Sequence, residues 1–198
     1  MLLPGFDVSK AAQAVAFFAL KAGGSINVLK LSKLMYLAER EFMARYDEPM
    51  FYDKLVSMPD GPVASITLNL VNGNIEDERW SSFVAKREGY DVSVAQGIDA
   101  GALKHLSKAD IRVLNDLWER FGGFDKYKLR DWTHVRENIP EWVDPLGSSY
   151  PIHHEDVFRY LRKDNSLGLA KDVKEYRRLH EYLDESERLA DEHLHAAE

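Results

Sequence analysis

Asn27–Leu68, NVLKLSKLMYLAEREFMARYDEPMFYDKLVSMPDGPVASITL, is the stretch from which the fold of this 198-residue chain can be read. Asn27 is a favoured N-cap, because its side-chain oxygen can accept from an otherwise unpaired N–H of the first turn. Leu31, Leu34, Met35, Ala38 and Phe42 then recur at helical spacing, which predicts a helix to about Tyr46 with that face inward. Lys30, Lys33, Glu39 and Arg40 are expected mostly to point outward. Pro49 stops the helix, and Met50 to Met58 reads as a short extended segment. Pro62 suits the first position of a third helix, where no N–H is needed, with Asp60 as its cap. Ile66, Leu70 and Val71 give that helix an apolar side, and Asn72-Gly73 ends it.

Working outward, Asp7 can cap a helix through about Ala22, with Val8, Ala11, Ala12, Val15, Phe18, Ala19 and Ala22 as its stripe and Gly23-Gly24 as its stop. Two helices joined by so short a loop should pack as an antiparallel hairpin. Phe83 to Val94, FVAKREGYDVSV, alternates around a Lys-Arg-Glu-Gly turn and predicts a β-hairpin. Ser107 and Asp110 resemble a capping box, followed by Ile111, Leu114, Leu117, Trp118 and Phe121 at helical spacing and Gly122-Gly123 as the end. Asp125 can cap a further helix to about Glu137. Pro140, Pro145, Gly147, Ser148, Ser149 and Pro151 form a loop and a candidate boundary. A short helix around Glu155 to Arg162 and a long charged helix from about Leu167 to Leu194 complete the chain. In the long helix Leu169, Tyr176, Leu183 and Ala190 repeat every seven residues, a heptad-like seam interrupted by His180 and Glu187. The expected class is α+β and predominantly α-helical: a helical domain over residues 1–149 with a small β-hairpin, and a C-terminal helical extension over 150–198.

The apolar fraction of 45% supplies a core. The formal net charge is −7; residues 164–198 hold ten acidic and five basic residues, so the first 163 carry only −2. Neither part is a basic footprint for phosphate backbone, which disfavours nucleic acid as a partner. With no cysteine, disulfides, thiolate nucleophiles and cysteine-ligated metals are excluded. MLLPGFDVSK lacks the features of a secretory signal, and no segment reaches the roughly 18–20 apolar residues that span a bilayer. A cytoplasmic protein with no membrane association is expected.

Motifs for chemistry are missing. There is no G-x-S-x-G elbow and no glycine-rich phosphate cradle. His153-His154-Glu155-Asp156 lacks the i, i+4 spacing of a helical metal pair, and His193-x-His195 lies near the chain end, so no metal and no cofactor is expected. Trp132, His134 and Trp142 could form a proton-transfer pocket. A simpler reading places Trp132 on a core face with Leu129 and gives His134 a buried backbone group to satisfy; the pair could also belong to a partner surface. In the C-terminal helix, Val173, Tyr176, Leu179 and Leu183 form a stripe suited to a groove on another chain, with Arg177 and Arg178 at its rim. Homo-oligomerisation through the interrupted heptad stays open.

The run KLSKLMYLAEREFMARYDEPMF followed by DGPVASITLNL resembles the Panacea domain, also described as the SocA-like antitoxin domain. Lys30 to Ala38 match its K-L-x-K-L-x-Y-L-A pattern, Glu48-Pro49-Met50 its proline step, and Gly61-Pro62-Val63 its G-P-V turn. Leu106-Ser107, Gly122, Thr133-His134 and Pro140 to Trp142 match its second signature, so the resemblance covers roughly residues 8 to 145. It implies a non-enzymatic antitoxin of a type II toxin–antitoxin system, which binds a cognate protein toxin in a hetero-oligomer and keeps it inactive; the expectation added to this is that the C-terminal helix, alone or with the Trp132 neighbourhood, docks on the toxin and neutralises it by steric occlusion. Among the toxins it implies are alarmone-synthetase-like enzymes that modify tRNA ends. A DNA-binding autoregulator, a protease adaptor for the toxin, and an enzyme built around His134 are the alternatives.

Overall fold

The middle of the fold is a pair of helices, α1 (Val8–Lys21) and α2 (Val28–Tyr46). The computed structural model describes residues 2–195, with side chains as far as Ala190. Asp7 caps α1 by accepting from Lys10 N at 2.9 Å, and Asn27 caps α2 by accepting from Leu29 N at 3.1 Å. From Ala11 to Ala19 every residue of α1 is buried. Alanines predominate there, so neighbouring elements can approach the helix from all sides.

Around this pair lie α3 (Ser65–Val71), α4 (Glu78–Ser81), α5 (Lys108–Phe121), α6 (Lys126–His134) and α7 (His154–Tyr160). The chain closes with α8 (Ser166–His195). The Ser107–Asp110 capping box forms, and Asp125 accepts from the N–H groups of Tyr127 and Lys128. Two small antiparallel sheets complete the fold. One pairs β1 (Ser25–Asn27) with β4 (Asp91–Ser93), Ile26 opposite Val92. The other has the order β3 (Gly61–Ala64), β2 (Leu55–Met58), β5 (Tyr150–Pro151). The architecture is thus predominantly α-helical, with a small β-hairpin, β2–β3, and a long C-terminal helix.

Three local expectations are corrected. Helix three begins at Ser65, and Pro62 lies in β3, opposite Ser57. As an edge strand, β3 tolerates a residue without an N–H. The cap comes from a distance: the buried Asp53 carboxylate accepts from Ile66 N at 2.8 Å, Thr67 N at 2.9 Å and the Thr67 hydroxyl at 2.6 Å. Second, residues 83–94 turn back on themselves through only two isolated bridges, Val84 with Val94 and Glu88 with Asp91, because β4 gives its ladder to β1. Third, Lys33 and Glu39 do not point outward but are fully buried.

Glu39 shows why a charged residue can occupy the core face of α2. Its carboxylate accepts from the N–H groups of Met50, Phe51 and Asp53, the last at 2.7 Å, in the segment just after Pro49. Burial pushes its pKa up to about 7, against these three donors, which favour the ionised form. The same segment contains Tyr52 at φ 58°, a left-handed conformation that costs a non-glycine residue roughly 1–2 kcal/mol. Glu39 therefore holds α2, the strained turn and the entry to β2 together. Glu39→Ala should lower stability by at least about 3 kcal/mol in urea unfolding, because three buried N–H groups lose their acceptor. A loss below about 1 kcal/mol would mean that water or a shifted backbone satisfies them.

Candidate functional site

The polar residues of α2 meet the second signature region at two places. At the first, Lys33 Nζ donates to Pro62 O at 3.1 Å, supplying a partner for a carbonyl on the β3 edge. Gly61, at φ +99°, sits so close that an added Cβ would lie 2.9 Å from Thr133 Oγ1 and 3.2 Å from Lys33 Nζ. Glycine is needed here for backbone conformation and for space. His134 binds the same turn, with Nδ1 2.7 Å from Arg130 O and Nε2 2.9 Å from Pro59 O. Trp142 Nε1 donates to Met58 O at 3.1 Å, and its ring meets His134 edge-on at 4.4 Å. Thr133, His134, Trp142 and Lys33 thus converge on the β2–β3 turn and hold it in place.

At the second place, the Tyr36 hydroxyl donates to Glu141 Oε1 at 2.6 Å, and Arg40 Nε donates to the same oxygen at 2.6 Å. Burial, and after it the Glu141 charge, holds the Tyr36 hydroxyl well above its ordinary pKa. Trp132 packs edge-on against Phe121 with ring centroids 4.8 Å apart, and Leu129 beside it is fully buried, in keeping with a core face. The motif residues therefore perform structural work. Neither of the two large cavities found among the described residues is lined by Lys33, Thr133 or His134.

In the C-terminal helix the stripe divides. Val173 is buried. Tyr176 stacks on Tyr52, ring centroids 3.9 Å apart and planes 18° from parallel, and a Cβ at Gly5 would come within 2.8 Å of it. Arg177 Nη2 donates to Tyr52 O at 3.0 Å and Asp53 O at 2.9 Å. Tyr176 and Arg177 hold α8 to the same strained turn that Glu39 holds from within. Arg178, Leu179 and Leu183 are exposed, as is every residue from Glu181 to Ala190. Of the histidine clusters, His153 and His154 lie at the start of α7, and no group of three or more metal-ligating residues exists among the described residues. The His193/His195 pair and Leu194 lie outside the described side chains. The contacts missed by sequence reading were those of Lys33, Glu39 and Asp53. The only available signal was the placement of two charged residues within an otherwise core-forming helix.

With this geometry described, comparison with protein families gives a match over residues 31–142 to the antitoxin SocA-like, Panacea domain family. The chain belongs to that family. No curated protein and no solved structure matches it. The matched span runs from α2 to the Glu141-Trp142 pair, and the Tyr36–Glu141 and Arg40–Glu141 bonds join its two ends. Among the described residues no helix is long and apolar enough to cross a membrane.

Burial lowers the Lys33 pKa to about 7, with Asp60 opposing and Arg130 reinforcing the shift. Its unfolded value lies near 10.4. Between these values the unfolded chain binds more protons, so this group makes stability rise with pH. Below pH 7 both states are protonated and the folded state bears the full cost of the buried charge. The melting temperature should climb by several degrees from pH 7 to 9.5 in differential scanning fluorimetry, and Lys33→Met should flatten that climb. The same slope in the mutant would assign the rise to other groups.

Proposed function

We propose that the chain is the antitoxin of a type II toxin–antitoxin pair, binding a cognate protein toxin and neutralising it by steric occlusion. The family supports the antitoxin role. The observation that carries the mechanism is the division of α8. Its first half is fastened to the body, and from Leu179 onward it presents apolar side chains to solvent at helical spacing. Leu179 is 56% exposed, Tyr182 69%, Leu183 45% and Leu189 45%. Isolated exposed apolar residues are ordinary, but four at i, i+3, i+4 and i+10 make a continuous stripe of the kind that docks in a groove.

In this reading Leu179, Tyr182 and Leu183 are the anchors, and Arg178 lies at the rim. Val173, Tyr176 and Arg177 are positioning residues that fix the angle at which the helix leaves the body. Pre-fixing that angle lowers the ordering cost of binding. Glu181, Asp184, Glu185 and Glu187 flank the stripe and favour a basic toxin surface, which would raise the association rate. Occlusion requires no chemistry on the antitoxin, only an interface of roughly 1,200–2,000 Å². The toxin class to test first is the alarmone-synthetase-like enzyme that modifies tRNA ends.

In this reading the toxin-binding element is the exposed end of the 150–198 extension. A chain cut at Ser149 would also remove Ile152, Val157 and Phe158, all buried, and so would test folding instead of binding. The informative variant is Leu179→Ala/Tyr182→Ala/Leu183→Ala. Co-expressed with the protein encoded beside it, the native chain should restore growth and co-purify with that protein. The triple variant should weaken binding by at least about 100-fold while its melting temperature is unchanged. Full protection by the triple variant would remove α8 from the mechanism. Absence of any co-purifying protein, with a salt-sensitive shift of the upstream DNA, would favour the autoregulator instead.

A further inference from the structure

On this acidic chain, one cavity is lined by positive charge. It has a volume of about 560 Å³ and lies between β2, the start of α7 and the docked half of α8. That volume falls in the range of small-molecule sites. Lys54, Lys174 and Arg177 line it beside one lining carboxylate, Glu155, and Arg177 also feels the charges of the buried Glu39 and Asp53. Lys54 and Lys174 are exposed and have no ion-pair partner among the described residues. Like charges gathered around a concavity repel one another, and an anion placed among them relieves that repulsion.

Two further features belong to this wall. His154 Nε2 and Arg177 Nε are shut from solvent and have no hydrogen-bond partner. Buried polar nitrogens without partners are rare, because each forfeits the hydrogen bond it had with water. Burial, followed by the charges of Arg177 and His153, pushes the His154 pKa down to about 3, so the ring is neutral at pH 7. Leu55, Ile152 and Val173 give the wall an apolar part, beside the His153 and His154 rings. An aliphatic chain fits the part of the wall made by Leu55, Ile152 and Val173. The larger cavity near α4, about 860 Å³, lacks this character: its Glu76, Asp77 and Glu78 face Lys86 and Arg87, and Asp77 is already paired with Arg79.

We propose that the cavity between β2, α7 and α8 is a binding site for a small organic carboxylate with an aliphatic body. The head group lies among Lys54, Lys174 and Arg177, and the body lies against Leu55, Ile152 and Val173. The site lies apart from the exposed anchors Leu179, Tyr182 and Leu183 and shares with the toxin-binding helix its positioning residues Val173 and Arg177.

The test uses the full chain without any toxin, so its outcome does not depend on the antitoxin reading. Octanoate, octanol and inorganic phosphate are titrated while the His154 side-chain nitrogen resonances and the melting temperature are followed. Octanoate should shift His154 saturably and raise the melting temperature, with octanol and phosphate each binding at least tenfold more weakly. Lys54→Glu/Lys174→Glu, which alters two exposed unpaired side chains, should keep its unliganded melting temperature and bind octanoate at least tenfold more weakly. Equal binding of octanol would overturn the anion site, and equal binding of phosphate would overturn the aliphatic one. No His154 shift, or shifts confined to the Leu179–Leu183 stripe, would overturn the proposal altogether.

Discussion

The structure depends on a carboxylate that water cannot reach. Glu39 sits on the core side of α2 and gathers the N–H groups of Met50, Phe51 and Asp53. A buried carboxylate is tolerable only when donors surround it. Here the donors are a backbone segment that would otherwise have no secondary structure to satisfy it. Each partner makes the other's burial affordable. The turn so formed places Asp53 where its own carboxylate caps α3, and it presents the carbonyls of Tyr52 and Asp53 outward to Arg177 of α8. One side chain of α2 thus positions a strand, a helix start and the docking point of the C-terminal helix.

The same logic extends along α2. Lys33, Tyr36 and Arg40 each reach a group distant in sequence: the edge carbonyl of Pro62, or the carboxylate of Glu141. A helix with an entirely apolar face would pack equally well in many rotations and registers. Polar side chains with one satisfactory partner each admit far fewer arrangements. The residues within the family span form a scaffold whose polar pairs hold the loops in place.

Much of the local structure was legible in the residues. Asp7, Asn27, Ser107 and Asp125 cap the helices they were expected to cap, because a cap acts within three residues of itself. The Trp132 and Leu129 face also followed from periodicity. Pro62 misled for a definite reason: its preference for a first helical turn is weak beside the pairing of Ser57 with Pro62 in the hairpin and the remote cap from Asp53. Lys33 and Glu39 misled because a lone charge on a helix is ordinarily solvated, and nothing within a few residues of either one reveals its partner. The C-terminal stripe was visible as a heptad-like repeat, but its division into a docked and a free half was not. That depends on Tyr52, more than a hundred residues away, stacking on Tyr176.

The sequence by itself determined the helices, their caps, the absence of cysteine chemistry and the family, since each of these is written in short-range pattern or in motif order. Tertiary structure alone decided which polar residues are interior, which strand completes which sheet, where α8 leaves the body, and that three cations gather around one cavity. Those outcomes rest on contacts between residues far apart in the chain. Their energies come from desolvation and hydrogen bonding at the place of meeting, and no local pattern encodes that place.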